Sequence, residues 1–222
     1  MIKAFIFDFD GTIIDTESLW FAVCQDQFAK QGQTLTLSTY CQCIGASLAV
    51  YDPYRDLAAR MGRPELAQEL EAQARRDYAE RSTALTLREG VLDLILAAKA
   101  GGLLLAVASS SDYEHVATYL QRFELLAHFA TICTRNDVAK VKPAPDLFEL
   151  ALDRLGLVAA EAVVFEDSPN GLLAALAAGI RTVVVPNPLT NQLTFNPAAI
   201  KKVEAFTQID MPGLIAELSL KN

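Results

Sequence analysis

Asp8 and Asp10, separated only by Phe9, stand where the apolar run Ala4-Phe5-Ile6-Phe7 gives out, immediately ahead of Gly11-Thr12. Two carboxylates so close repel each other unless a cation or a proton lies between them. If extended backbone persists that far, the alternation of side chains puts both on one face. The chemistry this suits is a divalent metal with a nucleophile beside it. The structural alternative is an acidic turn that caps the next helix. Three later places carry matching groups: Ser109-Ser110 after the apolar residues 103–108, Glu166-Asp167 after residues 162–165, and Lys142 in a loop stiffened by Pro143 and Pro145. The carboxylates of Asp8, Glu166 and Asp167 form an oxygen-only set, which suits a hard cation such as Mg2+. The Ser109 hydroxyl and the N–H groups after it make a cradle for phosphate oxygens. Four acids round one site are tolerable only with that cation and a lysine present. Each group also has a plain structural reading: Ser109 and Glu166-Asp167 as helix caps, Lys142 as a solvated surface lysine.

The elements that must position these groups read as alternating strands and helices. The apolar run that begins after Lys3 and is closed by Gly11 reads as a buried strand ending in a turn, and Asp15 or Thr16 caps a helix running from Glu17 to near Gly32. No strand pattern occurs between Gly32 and Arg88. That stretch reads as helical, with a turn at Ile44-Gly45-Ala46 and helices over 56–61 and 64–81, Pro64 suiting a first turn. Beyond it come a helix over 88–100, a strand over 103–108, a helix to Glu124, a strand over 129–133 and a helix over 145–155. A strand over 162–165, a helix over 169–178, a strand over 182–185, a turn-rich stretch over 187–196 and a last helix over 211–220 complete the chain. The expected fold is therefore α/β: a doubly wound, mainly parallel, Rossmann-like sheet formed by residues 1–15 and 86–222, with an all-helical cap inserted as residues 16–85. In such sheets ligands bind beyond the carboxyl ends of the strands, where all these polar groups fall.

Composition narrows the function. The 222 residues are 52% apolar and 21% charged, with a formal charge of −8. That charge, with a pI of about 4.8, makes a poor match for nucleic acid or an anionic membrane. No run of about 18 apolar residues suggests a membrane span, and the N-terminus goes straight into a strand rather than a secretory leader. Cys41 and Cys43 make a C-x-C, not the paired C-x-x-C of a zinc site, and only His115 and His128 could assist. Free thiols at Cys24, Cys41, Cys43 and Cys133 in a reducing cytoplasm are expected, and a monomer.

In order along the chain, Asp8-Phe9-Asp10-Gly11-Thr12, Ser109, Lys142-Pro143 and Glu166-Asp167 resemble the four motifs of the haloacid dehalogenase superfamily. The resemblance covers essentially the whole chain and is closest to the β-phosphoglucomutase-like phosphatases, whose helical cap follows the first strand. It implies an Mg2+-dependent phosphatase acting on a small phosphorylated metabolite such as a sugar phosphate. Asp8 would be the nucleophile that becomes an aspartyl phosphate, and also a metal ligand. Asp10 would protonate the leaving alkoxide and then deprotonate the attacking water, its backbone carbonyl binding the metal. Ser109 with the Ser110 amide would hold the transferring phosphoryl oxygens, Lys142 would neutralise Asp8 and the phosphate, and Glu166 and Asp167 would position Mg2+. On this scheme Asp8 stays ionised and Asp10 starts protonated.

Departures sort the relatives. Retention of Asp10 argues against a dehalogenase, and no lysine between Lys30 and Lys99 argues against a Schiff-base phosphonate hydrolase. Where the mutases carry a cap arginine and a histidine, this chain has Leu48 and Trp20; that favours a hydrolase, with a β-phosphoglucomutase-type mutase as the alternative. A non-enzymatic phosphoacceptor or metabolite-binding protein fits the motif order less well. Arg55, Arg75, Arg76 and Trp20 are the candidates to meet the leaving group, and the cap would hinge near residues 15–17 and 83–89.

Overall fold

The computed structural model describes residues 1–41 and 51–220. The expected Ile44-Gly45-Ala46 turn, Cys43 and Leu48 lie outside them. Among the described residues six strands form one sheet in the order β3-β2-β1-β4-β5-β6, every neighbouring pair parallel. They are β1 (Ala4–Phe7), β2 (Leu104–Ala108), β3 (Thr131–Cys133), β4 (Ala162–Glu166), β5 (Arg181–Val184) and β6 (Lys201–Lys202). β1 is central, with Phe7 level with Val107 on one side and Phe165 on the other. The ends of β1, β2 and β4 therefore lie side by side, at the point where the strand order reverses. Such a switch point opens a crevice.

Burial on both faces explains the continuous apolar runs. On one face Phe7 stacks on Phe165 at 4.9 Å between centroids, and Phe5 meets the same ring edge-on at 5.0 Å. Helices α5 (Val91–Ala100), α6 (Tyr113–Arg122) and α9 (Met211–Leu220) cover that face. The other face carries smaller residues, among them Ala4, Ala106, Ala108 and Ala162, against which α7 (Asp146–Leu155) and α8 (Pro169–Ala177) pack closely.

Between β1 and α5 the described residues form four helices: α1 (Thr16–Lys30), α2 (Leu37–Tyr40), α3 (Pro53–Arg60) and α4 (Ala67–Ser82), the last preceded by a 3₁₀ turn at Pro64–Leu66. Helix α3 begins three residues before the expected start, because Asp52 caps the N–H groups of Tyr54 and Arg55 and Pro53 fits the first turn. Val23, Phe28, Leu57, Leu70 and Tyr78 belong to a buried cluster separate from both sheet faces. The chain leaves and re-enters the sheet through one place, where Ile14 bridges Leu87 and Arg88 N–H donates to Ile13 O at 2.9 Å.

Elsewhere the expected elements stand with shifted ends. Helix α5 starts at Val91 rather than Arg88, after Gly90 in a left-handed conformation (φ +80°). Helix α6 is capped by Asp112 and stops at Arg122, before Glu124 at φ +59°. The short strand β6 had no sequence signal, since two exposed lysines lack any strand pattern.

Candidate active site

Asp8 directly follows β1 and is buried. Its Oδ1 accepts a hydrogen bond from Lys142 Nζ, and the same ammonium donates to Glu166 Oε1 at 2.7 Å. Lys142 is only 3% exposed and lies 4.9 Å from the centre of the Phe148 ring. It is therefore no solvated lysine; the loop brings it under the sheet's carboxyl edge. Glu166 ends β4, and its Oε2 accepts from Ser168 N at 2.7 Å and Ser168 Oγ at 3.0 Å. Asp167 accepts from Asn187 Nδ2 at 2.9 Å, Thr12 Oγ1 at 3.3 Å and Thr190 Oγ1 at 3.4 Å.

Asp8, Glu166 and Asp167 each offer a carboxylate oxygen, and these oxygens lie within 4.8 Å of one another. Three buried carboxylates and one ammonium leave two negative charges in excess. Burial pushes Asp8 up to about 7, with Lys142 pulling against it and Glu166 adding to the rise. Burial also pushes Asp167 well above the usual carboxylate range, helped by Glu166 and Asp8. That repulsion is what a divalent cation cancels, and an all-oxygen donor set suits a hard one. The residues fit Mg2+ in charge and in chemistry.

Close approach of backbone makes this cluster possible. A Cβ on Gly11, which has φ +87°, would overlap the Asp167 carboxylate; one on Gly171, in α8, would overlap the Glu166 carboxylate. Gly171→Ala is expected to evict Glu166 from Lys142 and Ser168. The Mg2+ concentration for half-maximal turnover should then rise about tenfold or more, as for other losses around metal ligands. A titration of activity against Mg2+ reads this directly, and an unchanged midpoint would remove Glu166 from the metal's surroundings.

Asp10 has a different setting. Its Oδ1 meets Thr16 Oγ1 at 2.8 Å and His115 Nε2 at 2.8 Å, and its Oδ2 accepts from Ser111 Oγ at 2.5 Å and Ser109 Oγ at 3.4 Å. The extended strand ends at Phe7, so Asp8 and Asp10 share none of these partners. Burial raises Asp10, but His115 and the hydroxyls outweigh it and hold the carboxyl at about 2. These surroundings thus set the reverse of the expected order of the two acids. The reason is electrostatic: Asp8 is crowded by carboxylates that a cation would offset, and Asp10 faces an imidazole.

Ser109 directly follows β2, is buried, and its Oγ accepts from Ser111 N at 3.0 Å. Ser110 Oγ is buried without a hydrogen-bond partner among the described residues, while Arg135 Nε donates to Ser110 O at 2.7 Å. Both serines stand at the mouth of the strand ends. A cavity of about 580 Å³ opens there, lined by Asp10, Glu17, Trp20, Arg75, Ser110 and His115 among others. Of the cap candidates, Arg75 reaches this cavity and pairs with Glu71 at 2.7 Å. Trp20 stacks on Tyr78 at 4.0 Å and 9°, forming an aromatic wall. Arg55 is exposed and pairs with Asp52 at 3.3 Å; neither it nor Arg76 lines the cavity.

Several contributors were missed in the sequence. Asn187 stands three residues beyond β5, so the strand-end logic that marks Ser109 would also have marked it. Arg88 sends Nη1 to Gly11 O at 2.7 Å and Val185 O at 2.5 Å, and Nη2 to Pro186 O at 2.8 Å, pinning the Asp8–Thr12 turn to the end of β5. No local pattern announces an arginine that bonds three backbone carbonyls. His115 was weighed only as a metal ligand, because helical periodicity says nothing about reach into a neighbouring strand end.

Comparison with known proteins adds to this geometry. Residues 5–185 match the model of the haloacid dehalogenase-like hydrolases. The chain is similar to YhcW of Bacillus subtilis (strain 168), which bears a provisional phosphatase name, with 39% identity over all of both chains. It is 30% identical to a phosphorylated carbohydrates phosphatase of Thermotoga maritima, over 82% of this chain and 84% of that one. The crystal structure of CbbY from Rhodobacter sphaeroides in complex with phosphate resembles it with a TM-score of 0.74 and 29% identity, over 97% of this chain and 100% of that one.

Proposed function

For a chain that belongs to the haloacid dehalogenase-like hydrolases, and is a phosphoric monoester hydrolase among them, we propose Mg2+-dependent hydrolysis of a small phosphomonoester through an aspartyl phosphate on Asp8. The observation that carries the reading is the buried Asp8 carboxylate, paired with Lys142 inside a three-carboxylate cluster beside a cavity. Mg2+ held by Asp8, Glu166, Asp167 and the Asp10 carbonyl would supply positive charge against the phosphoryl oxygens. Ser109, the Ser110 amide and Lys142 hold those oxygens in line with Asp8. Substrate charge beside Asp10 would raise its carboxyl and Mg2+ beside Asp8 would lower that one, so that Asp10 takes up a proton as the phosphate dianion binds. An Asp8 oxygen then bonds to phosphorus as the ester P–O bond breaks, and that proton passes from Asp10 to the leaving oxygen. In the second half a water oxygen bonds to phosphorus, its proton goes to Asp10, and the bond from Asp8 to phosphorus breaks. Phosphate leaves and both acids return to their starting state.

In this proposal residues 16–85 act as a cap over a core of 1–15 and 86–222, hinged where Ile14 and Leu87 meet. The substrate is a sugar phosphate or related metabolite, a choice supported by the name of the Thermotoga maritima relative and by the aromatic wall of Trp20 and Tyr78. The enzyme is read as a cytoplasmic monomer. Among the described residues no helix is long and apolar enough to cross a membrane.

Purified protein is expected to release phosphate from 4-nitrophenyl phosphate with Mg2+ and to stop in excess EDTA. A panel of sugar phosphates then finds the substrate. Absence of metal-dependent release from every ester would end the hydrolase reading, and conversion of β-glucose 1-phosphate to the 6-phosphate would replace it with a mutase.

A further inference from the structure

His115 belongs to none of the four motifs, yet its Nε2 lies 2.8 Å from Asp10 Oδ1. Its placement is over-determined. Asp112 caps the helix by accepting from His115 N at 2.9 Å, which fixes the backbone in the first turn of α6. The ring is held edge-on to Phe9 at 5.8 Å and to Tyr119 at 5.2 Å. Aromatic contacts of this kind lock a side-chain angle as well as adding stability.

The partners of the two acids differ in kind. Lys142, against Asp8, can only donate. Thr16, Ser109 and Ser111, against Asp10, carry hydroxyls that donate or accept, and a neutral imidazole does either according to its tautomer. A carboxyl that gives up a proton in one half-reaction and takes one in the next needs such partners, because a donor-only neighbour would face the acid's own proton. The hydroxyls rotate freely, and Thr16 starts α1 at the hinge. The imidazole is the partner whose ring is wedged in place, and once the Asp10 carboxyl is protonated a neutral ring can accept at Nε2 where an ammonium could not.

Resting on the phosphatase reading, we propose that His115 is a positioning residue for Asp10, aiming its carboxyl into the cavity through both halves of the proton shuttle. His115 undergoes no net change. The proton still moves between Asp10 and the leaving oxygen or water, and the bonds made and broken are those given above.

Leaving-group dependence separates this from a structural role. Phenyl phosphate releases a basic phenolate that needs Asp10's proton; 4-nitrophenyl phosphate releases an anion that departs nearly unaided. His115→Phe keeps the ring packing and removes the polar contact, while His115→Gln places an N–H near the position of Nε2. In the phenylalanine variant kcat/KM for phenyl phosphate is expected to fall about 30-fold, less than the roughly 10²–10⁴-fold of a general acid itself because His115 only positions it, and that for the nitrophenyl ester about threefold. The glutamine variant should recover most of the difference. Equal losses on both esters, no loss, or a glutamine variant that behaves like phenylalanine would overturn the proposal. If the phenylalanine variant fails to fold, as judged by its melting curve, His115→Leu carries the same comparison. Wild-type protein that turns over neither these esters nor any of the sugar phosphates with Mg2+ would overturn the phosphatase reading itself; active wild type with variants indifferent to the leaving group overturns the role of His115 alone.

Discussion

Asp8→Asn is expected to abolish turnover while leaving the fold intact. The amide is close in shape to the carboxylate but has no nucleophilic oxygen, so phosphate release should fall by about 10⁴-fold or more. The surroundings predict a second, opposite effect on stability. Burial already pushes the Asp8 carboxyl up to about 7, and Glu166 and Asp167 crowd it. Removing one negative charge relieves that repulsion, so the variant should melt no lower than wild type in EDTA. Mg2+ should then stabilise the variant less, because a ligand is gone. Phosphate release and melting curves with and without Mg2+ read both effects. Activity retained above about 1% of wild type would exclude Asp8 as the nucleophile.

Lys142→Met should be the more damaging substitution to stability, since it removes an interaction from the substrate and from the resting protein together. The ammonium is 3% exposed and shared between Asp8 and Glu166. Removing one partner of a buried charge group typically costs about 3–5 kcal/mol, because the remaining charges stay buried without compensation. Activity should fall by at least about 10²-fold through loss of charge stabilisation at the transferring phosphoryl group. The pH dependence has a defined sign. Lys142 is the one named influence that lowers Asp8, so its removal lifts the Asp8 carboxyl further above its ordinary value of 3.8. An acid raised on folding binds its proton more tightly in the folded state. Its stabilising effect is present at low pH and is lost as pH rises through the folded-state value. In EDTA the melting temperature of Lys142→Met should therefore go on falling above about pH 7, where the fall due to Asp8 in the wild type is complete. A parallel profile would mean that Lys142 and Asp8 are not coupled.

What could be read from the sequence was local. The run Ala4-Phe5-Ile6-Phe7 is apolar on both faces because both faces are covered, and its end is marked by Asp8, Asp10 and Gly11. The same two facts, a buried strand and a polar stop, identify Ser109 and Glu166-Asp167. Parallel connections place such stops on one edge of the sheet. The α/β class and the gathering of Asp8, Glu166 and Asp167 at one sheet edge are thus legible in local pattern, whereas Lys142, in a loop, is placed beside them only by its likeness to a motif. Element ends were less so, since they depend on single caps such as Asp52 and Gly90.

Direction was not legible. Spacing alone could have put Asp8 and Asp10 on one face, but the strand ends at Phe7, and the two carboxyls turn to different neighbours. Which of them is crowded by acids and which is held by hydroxyls and His115 depends on residues more than a hundred positions away in the chain. Arg88 and Asn187 likewise find their partners at other strand ends, between 20 and 98 positions away. Sequence by itself determined which groups the sheet edge must gather, because burial and chain connectivity act through local pattern. Only the tertiary structure decided how those groups face one another, because hydrogen bonds and charge interactions act over a few ångströms of space, whatever the distance along the chain.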